Sequence, residues 1–262
     1  MPKFIKIETM VGCNAKCLFC SLGAGILKRK RGRMASEFFF KTVDQARDLG
    51  FEIIAYFMNE PLMESRIFEF FDYIKDTGSK QELFTNASLI TKDMAKKLSQ
   101  YQYNKFVISF HGGNKETYEK VMGLNFEKTV SKIKYLISLG KISNYVISIK
   151  ISEDNKNSID DFRNLWKGYR FHISKAINWA GTFGKGKGVK KCGVLNMPCV
   201  FWDGRMPLCC LDAEGKIIIG DLKEQSLKEV LNGQIYQKYL DFNKKGKLNQ
   251  LYPCNICNRD KG

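Results

Sequence analysis

Apolar residues recur along the first two-thirds of the chain in two alternating rhythms. Short runs rich in β-branched and aromatic residues occupy 4–10, 52–57, 82–85, 105–110, 145–151 and 173–178. Between them apolar residues return every three or four positions. Phe39, Phe40, Val43 and Ala46 do so within 35–49, and Phe126, Val130, Ile133 and Ile137 after the fourth run; 67–75, 91–98 and 159–166 are shorter cases. The first rhythm predicts strands and the second amphipathic helices. Gly50 stops the first helix, and Thr91 offers a side chain to cap the third. Parallel strands need a crossover that a helix supplies, so this alternation predicts parallel βα units. Six of them fit an α/β fold, an incomplete (β/α)6 TIM-like barrel, whose functional groups gather at the C-terminal strand ends.

Polar motifs fall at those ends: Cys13 to Cys20, Asn59-Glu60-Pro61, Thr85-Asn86, Ser109-Phe110-His111 and Asn178-Trp179. The rhythm breaks at 181–191, where glycines interleave with lysines. No Ser or Thr completes a phosphate loop there, so a flexible linker is expected. Beyond it, an Asp203-Gly204 turn predicts a hairpin that returns Cys209 to the neighbourhood of Cys199. A strand over 217–222, a helix over 227–231 and a closing Cys254-x2-Cys257 follow. The expected division is 1–180 as the barrel, 181–191 as the linker and 192–262 as a small second domain.

The hydrophobic share of 44%, with 19 Phe among 262 residues, suffices for a sizeable core. Apolar runs stay far below the roughly 18 residues of a membrane span. The N-terminus reads as a strand with interleaved charge, not a signal peptide, so a cytoplasmic location without a membrane is expected. Nine cysteines in that setting point to metal binding or catalysis rather than disulfides. The net charge of +16 admits a bland reading, solubility and compositional bias. It also admits attraction to acidic electron carriers, phosphorylated substrates or acidic peptides. Nothing matches a nucleic-acid-binding motif, and nucleic acid is not expected as a partner. The basic run 28–33 is a solvated loop or a substrate-facing lip.

The chemistry resides in the cysteines. Cys13, Cys17 and Cys20 stand at Cys-x3-Cys-x2-Cys with no His nearby. A structural zinc site takes four protein ligands, so three thiols leave a position open. A zinc knuckle is the plain alternative to an iron–sulfur cluster with one free iron. Cys199, Cys209, Cys254 and Cys257 number four and can enclose a metal completely, as a zinc ribbon or a second cluster.

The first triad resembles the signature of the radical S-adenosylmethionine (SAM) enzymes. The order Cys199, Asp203-Gly204, Cys209-Cys210-x-Asp212, Gly220-Asp221-Leu222, Ser226-Leu227, Cys254-x2-Cys257 resembles their shortened SPASM, or twitch, extension, here a β-hairpin plus helix. The resemblance spans 4–257 and implies SAM and two [4Fe-4S] clusters. One is the SAM-binding cluster on Cys13, Cys17 and Cys20. The other is auxiliary, on Cys199, Cys209, Cys254 and Cys257. It places Phe19 near adenine. Met58-Asn59-Glu60-Pro61 stands where the family has Gly-Gly-Glu-Pro, so Glu60 carries over while Asn59 replaces a glycine. Asn86, Ser109 and Lys150 are further candidate SAM contacts. It further implies a 5′-deoxyadenosyl radical that takes a hydrogen atom from a substrate C–H bond, followed by oxidation, cross-linking or epimerisation. Two cysteines remain, Cys192 and Cys210. Cys210 is a candidate hydrogen-atom donor or a buried spare thiol, and His111 a candidate proton acceptor or a structural residue. The expected partners are an acidic electron donor such as flavodoxin or ferredoxin, and a ribosomally made peptide or a sugar-like substrate. The chain shows no winged peptide-recognition domain ahead of the barrel, which weighs against the peptide without removing it. A non-catalytic metal protein, either a zinc-ribbon nucleic-acid binder or an electron carrier, is the alternative from another class.

Overall fold

The computed structural model describes residues 3–259. Its elements alternate as the hydrophobic rhythm predicts, and by contact they fall into two compact units.

The first unit comprises residues 3–11, Ile26–Asn59 and residues 177–259. Strand β1 (Lys3–Ile7) lies at the centre of a three-stranded parallel sheet. On one side β2 (Phe51–Ile54) pairs with it, Lys3 opposite Phe51; on the other β7 (Cys199–Val200) does, Lys6 opposite Cys199. Helix α1 (Ser36–Asp48) buries Phe39, Val43 and Ala46, the stripe expected from their spacing. Strands β8 (Arg205–Pro207) and β9 (Ile218–Asp221) form an antiparallel pair, followed by α7 (Leu227–Asn232) and α8 (Gln234–Lys244). Ser226 and Glu229 close a capping box at the start of α7.

The expected hairpin is therefore corrected. The turn at Gly204 forms, with Phe201 N–H donating to Arg205 O at 2.9 Å. Its outgoing strand pairs with β9, however, while Cys199 is drawn into the open edge of β1. A parallel ladder to β1 satisfies the backbone of 199–200 and also directs Cys199 into the core.

The second unit comprises Gly12–Gly25 and Glu60–Ala176. Strands β3 (Gln81–Thr85), β4 (Tyr103–Ser109), β5 (Tyr145–Ile151) and β6 (Phe171–Lys175) make a parallel sheet in sequence order. Helices α2 (Ile67–Asp76), α3 (Lys92–Leu98), α4 (Lys115–Met122), α5 (Phe126–Ser138) and α6 (Ile159–Leu165) connect or follow the strands. Thr91 caps α3 by accepting from Met94 N–H at 3.1 Å, as expected. Phe110, just past β4, is fully buried; its ring stacks on Tyr118 at 4.2 Å and meets Trp166 edge-on at 5.2 Å. That aromatic knot fixes the chain's exit from β4 toward His111.

In the first unit, Glu8 beyond β1 is fully buried with Arg29. The guanidinium donates to both carboxylate oxygens, to Glu8 Oε2 at 2.8 Å, and lies 4.1 Å from the Phe201 ring. Its Nε donates to Ala213 O. Met58 N–H and Trp202 N–H complete the carboxylate's shell. Burial pushes the Glu8 carboxyl up, and Arg29 opposes that most strongly. One ion pair thus joins four separate stretches of chain, at Glu8, Arg29, Met58 and 201–213. Replacing Arg29 by Ala leaves Glu8 buried without its cation, and should cost about 3–5 kcal/mol in urea unfolding. The Glu8→Gln/Arg29→Met double variant should recover most of that loss.

Candidate functional site

The cysteine loop of the second unit is fastened at several points. Lys16 N–H donates to Met122 O at 2.7 Å and Leu18 N–H to Val121 O, so the end of α4 holds the middle of the loop. Glu60 N–H donates to Gly12 O at 2.9 Å and holds its start. Gly23 passes so close to Cys17 that a Cβ there would lie 2.5 Å from the Cys17 nitrogen. The loop therefore folds tightly on itself, and Cys20 N–H donates to Cys17 O at 3.1 Å.

Beside Cys13, Asn86 and Asn14 form a polar chain. Asn86 Nδ2 donates to Asn14 Oδ1 at 2.9 Å and faces Cys13 Sγ at 3.9 Å. Asn14 Nδ2 donates to Ser88 Oγ at 2.8 Å. Glu60, predicted from its motif, fixes the same corner. Its Oε1 accepts from Thr85 Oγ1 at 2.6 Å and its Oε2 from Asn86 N–H at 2.7 Å. Burial raises this carboxyl to about 7, against the pull of those donors. Its contribution to stability is thus full below the unfolded value near 4.5 and is lost as pH rises through about 7.

Burial is also the main cause of the raised thiol pKa values. Cys13 is pushed up to about 12, and Cys17 and Cys20 are raised as well, neighbouring thiols adding to the shift at Cys13 and Cys17. Such thiols ionise when a cation supplies the missing charge. Among the described residues no three His, Cys, Asp or Glu side chains converge on a single metal ion. A four-iron cluster gives each thiolate its own iron, so its ligands stand further apart than those of one ion. The donor set fits such a cluster, three thiols leaving one iron open.

Phe19, His111 and Lys150 are also brought together. The Phe19 and His111 rings meet edge-on at 5.0 Å, and Lys150 N–H donates to His111 Nδ1 at 3.2 Å. The Lys150 ammonium reaches Ser174 Oγ at 2.7 Å. Ser109 ends β4 opposite Ser148 of β5. Asn59 lies in the first unit; its Oδ1 accepts from Phe57 N–H at 2.9 Å, and its buried Nδ2 has no partner among the described residues. His111 is buried, and desolvation with the Lys150 charge lowers its pKa to about 3. Its Nδ1 lone pair is engaged, so the neutral ring carries its proton on Nε2. Through Nδ1 the ring thus holds the Lys150 backbone of β5 to the start of the turn beyond β4.

In the first unit, Cys192, Cys209, Cys254 and Cys257 line one small cavity, with Leu195, Leu248 and Pro253 among its apolar walls. The structure brings three of the four expected thiols together and adds Cys192. Cys199 does not line this cavity. It is fully buried near Glu8 and Cys210, and burial raises its thiol far above the usual range. Cys210 is buried in the same apolar cluster, which also contains Cys257 and has Cys192, Cys209 and Cys254 packed against it. In the sequence the Asp203-Gly204 turn points Cys209 toward Cys199, and the order of the extension's motifs begins at Cys199. The sequence offered no counter-signal beyond a free cysteine at the start of the segment.

Nor is 181–191 a loose linker. Gly186 N–H donates to Ile256 O at 2.8 Å, Gly188 N–H to Cys257 O at 3.1 Å and Val189 N–H to Cys254 O at 3.0 Å. A Cβ on Gly186 would lie 2.7 Å from the Cys257 carbonyl, so glycine permits the approach. Asn178 and Asn258 exchange side-chain and backbone bonds at 2.8 and 3.1 Å and lock the strap's start.

Comparison with known proteins names the class. Residues 7–165 match the radical SAM superfamily and residues 192–258 an iron–sulfur cluster-binding domain, SPASM. The chain belongs to the radical SAM superfamily, with a C-terminal SPASM/twitch domain, and its cofactors are SAM and [4Fe-4S] clusters. It is similar to the AdoMet-dependent heme synthase of Methanosarcina barkeri, 29% identical over 52% of this chain and 39% of that one. It is also similar to the GTP 3′,8-cyclase of Clostridium botulinum, 24% identical over 74% and 61%. The match thus spans less than two thirds of either relative. Among solved structures, BtrN in complex with AdoMet and 2-DOIA superposes with TM-score 0.67, 18% identity and coverage of 99% and 94%. Streptococcus suis SuiB bound to precursor peptide SuiA gives 0.72, 14%, 98% and 70%. The anSMEcpe structure with bound AdoMet gives 0.71, 17%, 100% and 92%. These likenesses show the fold, α/β with parallel sheets. No helix among the described residues is long and apolar enough to cross a membrane.

Because His111 stays neutral when folded and titrates near 6.5 when unfolded, it destabilises the protein as pH falls from about 6.5 toward 3. The slope is up to about 1.4 kcal/mol per pH unit. Urea unfolding of wild type and His111→Gln, compared between pH 7.5 and 5.5 under anaerobic conditions, should show a stability difference that shifts in favour of the variant on acidification. A constant difference would contradict the buried neutral ring.

Proposed function

We propose that this radical SAM enzyme oxidises a C–H bond of a polar substrate, and that the second thiol set holds an auxiliary cluster that would accept the electron. The observation that carries this reading is the closed set of four thiols around one cavity, Cys192, Cys209, Cys254 and Cys257. A fully ligated cluster has no iron left for substrate, which suits it to electron transfer rather than to binding. Cys192 takes the place first expected of Cys199.

Cys13, Cys17 and Cys20 are proposed to hold the SAM-binding cluster. When bound there, SAM supplies a 5′-deoxyadenosyl radical that removes a hydrogen atom from the substrate. The chain's own work is positional. Glu60 holds Asn86 and Thr85 at the end of β3, and Asn86 turns an N–H toward Cys13 Sγ. Phe19 is proposed to face adenine with its ring steadied by His111, and Ser109 and Lys150 to contact the polar end of SAM. Asn59, whose amide is buried without an acceptor, is a further proposed contact. Cys210, inside an apolar cluster with Cys199, is assigned the spare-thiol role, so oxidation is placed ahead of epimerisation.

A ribosomally made peptide is the proposed substrate class, supported by the basic surface and by likeness to SuiB, solved with its precursor peptide. The second reading is a sugar or aminocyclitol dehydrogenase. It is supported by the end-to-end match to BtrN, which the superposition covers to 94%. An acidic electron donor, flavodoxin or ferredoxin, and a cytoplasmic location complete the proposal.

Anaerobic reconstitution tests the ligand sets. Wild type should bind about eight irons per chain and cleave SAM to 5′-deoxyadenosine on reduction. Cys192→Ala should fall to about four irons while keeping some SAM cleavage, and Cys199→Ala should keep about eight. The opposite pattern would return Cys199 to the second site, and a colourless zinc protein would remove the enzyme reading altogether.

A further inference from the structure

The strap over the second thiol set carries more than glycine. Segments 181–191 and 244–259 hold eight basic residues and no acidic one, half the size of the chain's net charge of +16. Backbone bonds place them side by side. The strap runs along Cys254–Cys257 through Gly186, Gly188 and Val189, and Leu248 N–H donates to Lys190 O at 3.2 Å. The Lys191 stem lies 3.4 Å from where a Cβ on Gly246 would stand. Lys185, Lys187, Lys190, Lys191 and Lys247 are all exposed. Lys245 is paired with Asp241 at 2.7 Å.

Charge repulsion opposes such crowding, and none of the five exposed lysines just named has an ion-pair partner among the salt bridges of the described residues. A surface of one sign steers partners of the other sign. What lies beneath decides which partner. The strap's amides bond directly to the carbonyls of Cys254 and Cys257, so one hydrogen bond and the ligand residues themselves separate this face from the thiols. An acidic peptide or nucleic acid would answer the charge alone. A redox carrier answers both the charge and the short path.

We propose that the face formed by the 181–191 strap and the 244–259 segment docks an acidic one-electron carrier protein, which exchanges an electron with the centre held by Cys192, Cys209, Cys254 and Cys257. The inference rests on the reading of those four thiols as a cluster site. In the oxidation reading, one electron leaves the substrate radical for that centre as its proton departs to solvent. The oxidised carrier then takes the electron and is reduced by one. Lys187 sits between the two strap glycines bonded to the ligand turn and Lys185 just before them, so these two lysines stand nearest the path.

The test uses the reconstituted enzyme with a flavodoxin as the probe. Iron content is read first: about four irons per chain in wild type would overturn the second cluster, independently of any carrier result. With about eight, Lys185→Glu/Lys187→Glu should weaken flavodoxin binding at least tenfold at low ionic strength and flatten its salt dependence. Electron exchange between flavodoxin and the auxiliary cluster, followed by EPR after rapid mixing, should slow by a similar factor. Iron content, thermal melting and dithionite-driven SAM cleavage should match wild type. Binding within twofold of wild type, or unchanged exchange, would overturn the proposal. Loss of affinity for an acidic peptide with flavodoxin binding intact would assign the face to substrate instead.

Discussion

Burying thiols is costly unless something makes their ionisation worthwhile, and both centres depend on that constraint. Burial, with neighbouring thiols and carboxylates adding, pushes Cys13 and Cys254 up to about 12 and the other grouped thiols upward where a shift is resolved. A thiol in that state is a neutral, weakly polar group. Bound to iron it becomes a thiolate whose charge is neutralised locally, so cluster binding reverses the penalty and adds to folding stability. The sites are therefore built as apolar containers, with leucine and proline walls around the second and a tight glycine turn in the first.

Rigid containers need fixed edges, and two buried carboxylates supply them. Glu8 gathers Arg29, Met58 and Trp202 in the first unit, and Glu60 gathers Leu62, Thr85 and Asn86 in the second. Each carboxylate spends its lone pairs on backbone amides and one side chain from distant stretches of chain. Their role is to hold loop ends in register, a task for which a short acceptor with several lone pairs is suited. Asn14, Asn86 and Ser88 extend the second network along the cysteine loop, where a hydrogen bond toward sulfur also bears on cluster potential.

Much of this was legible beforehand. Helix α1 and its buried stripe, the Thr91 cap, the parallel order of β3 to β6 and the Cys13-x3-Cys17-x2-Cys20 loop all follow from local spacing, because periodicity and capping act within a few residues. Glu60 was found through its motif, although not the triple hydrogen-bond role it has. The Asp203-Gly204 turn forms as read, but the strand that leaves it pairs with β9, because a turn says where a chain reverses, not which strand edge receives it. The 181–191 stretch was misread for a similar reason: glycine signals freedom in isolation and close approach in a packed setting, and composition does not separate the two.

The sequence by itself thus determined the class of chemistry: three thiols that leave a metal site open, a further set able to close one, and alternating strands and helices to carry them. Tertiary structure decided which thiols share a cavity. Cys192, Cys209, Cys254 and Cys257 line one, while Cys199 sits in the adjoining apolar cluster, its backbone laddered to β1. Ligand spacing is a property of the chain, whereas which thiols share a cavity depends on long-range backbone pairing that no local pattern encodes.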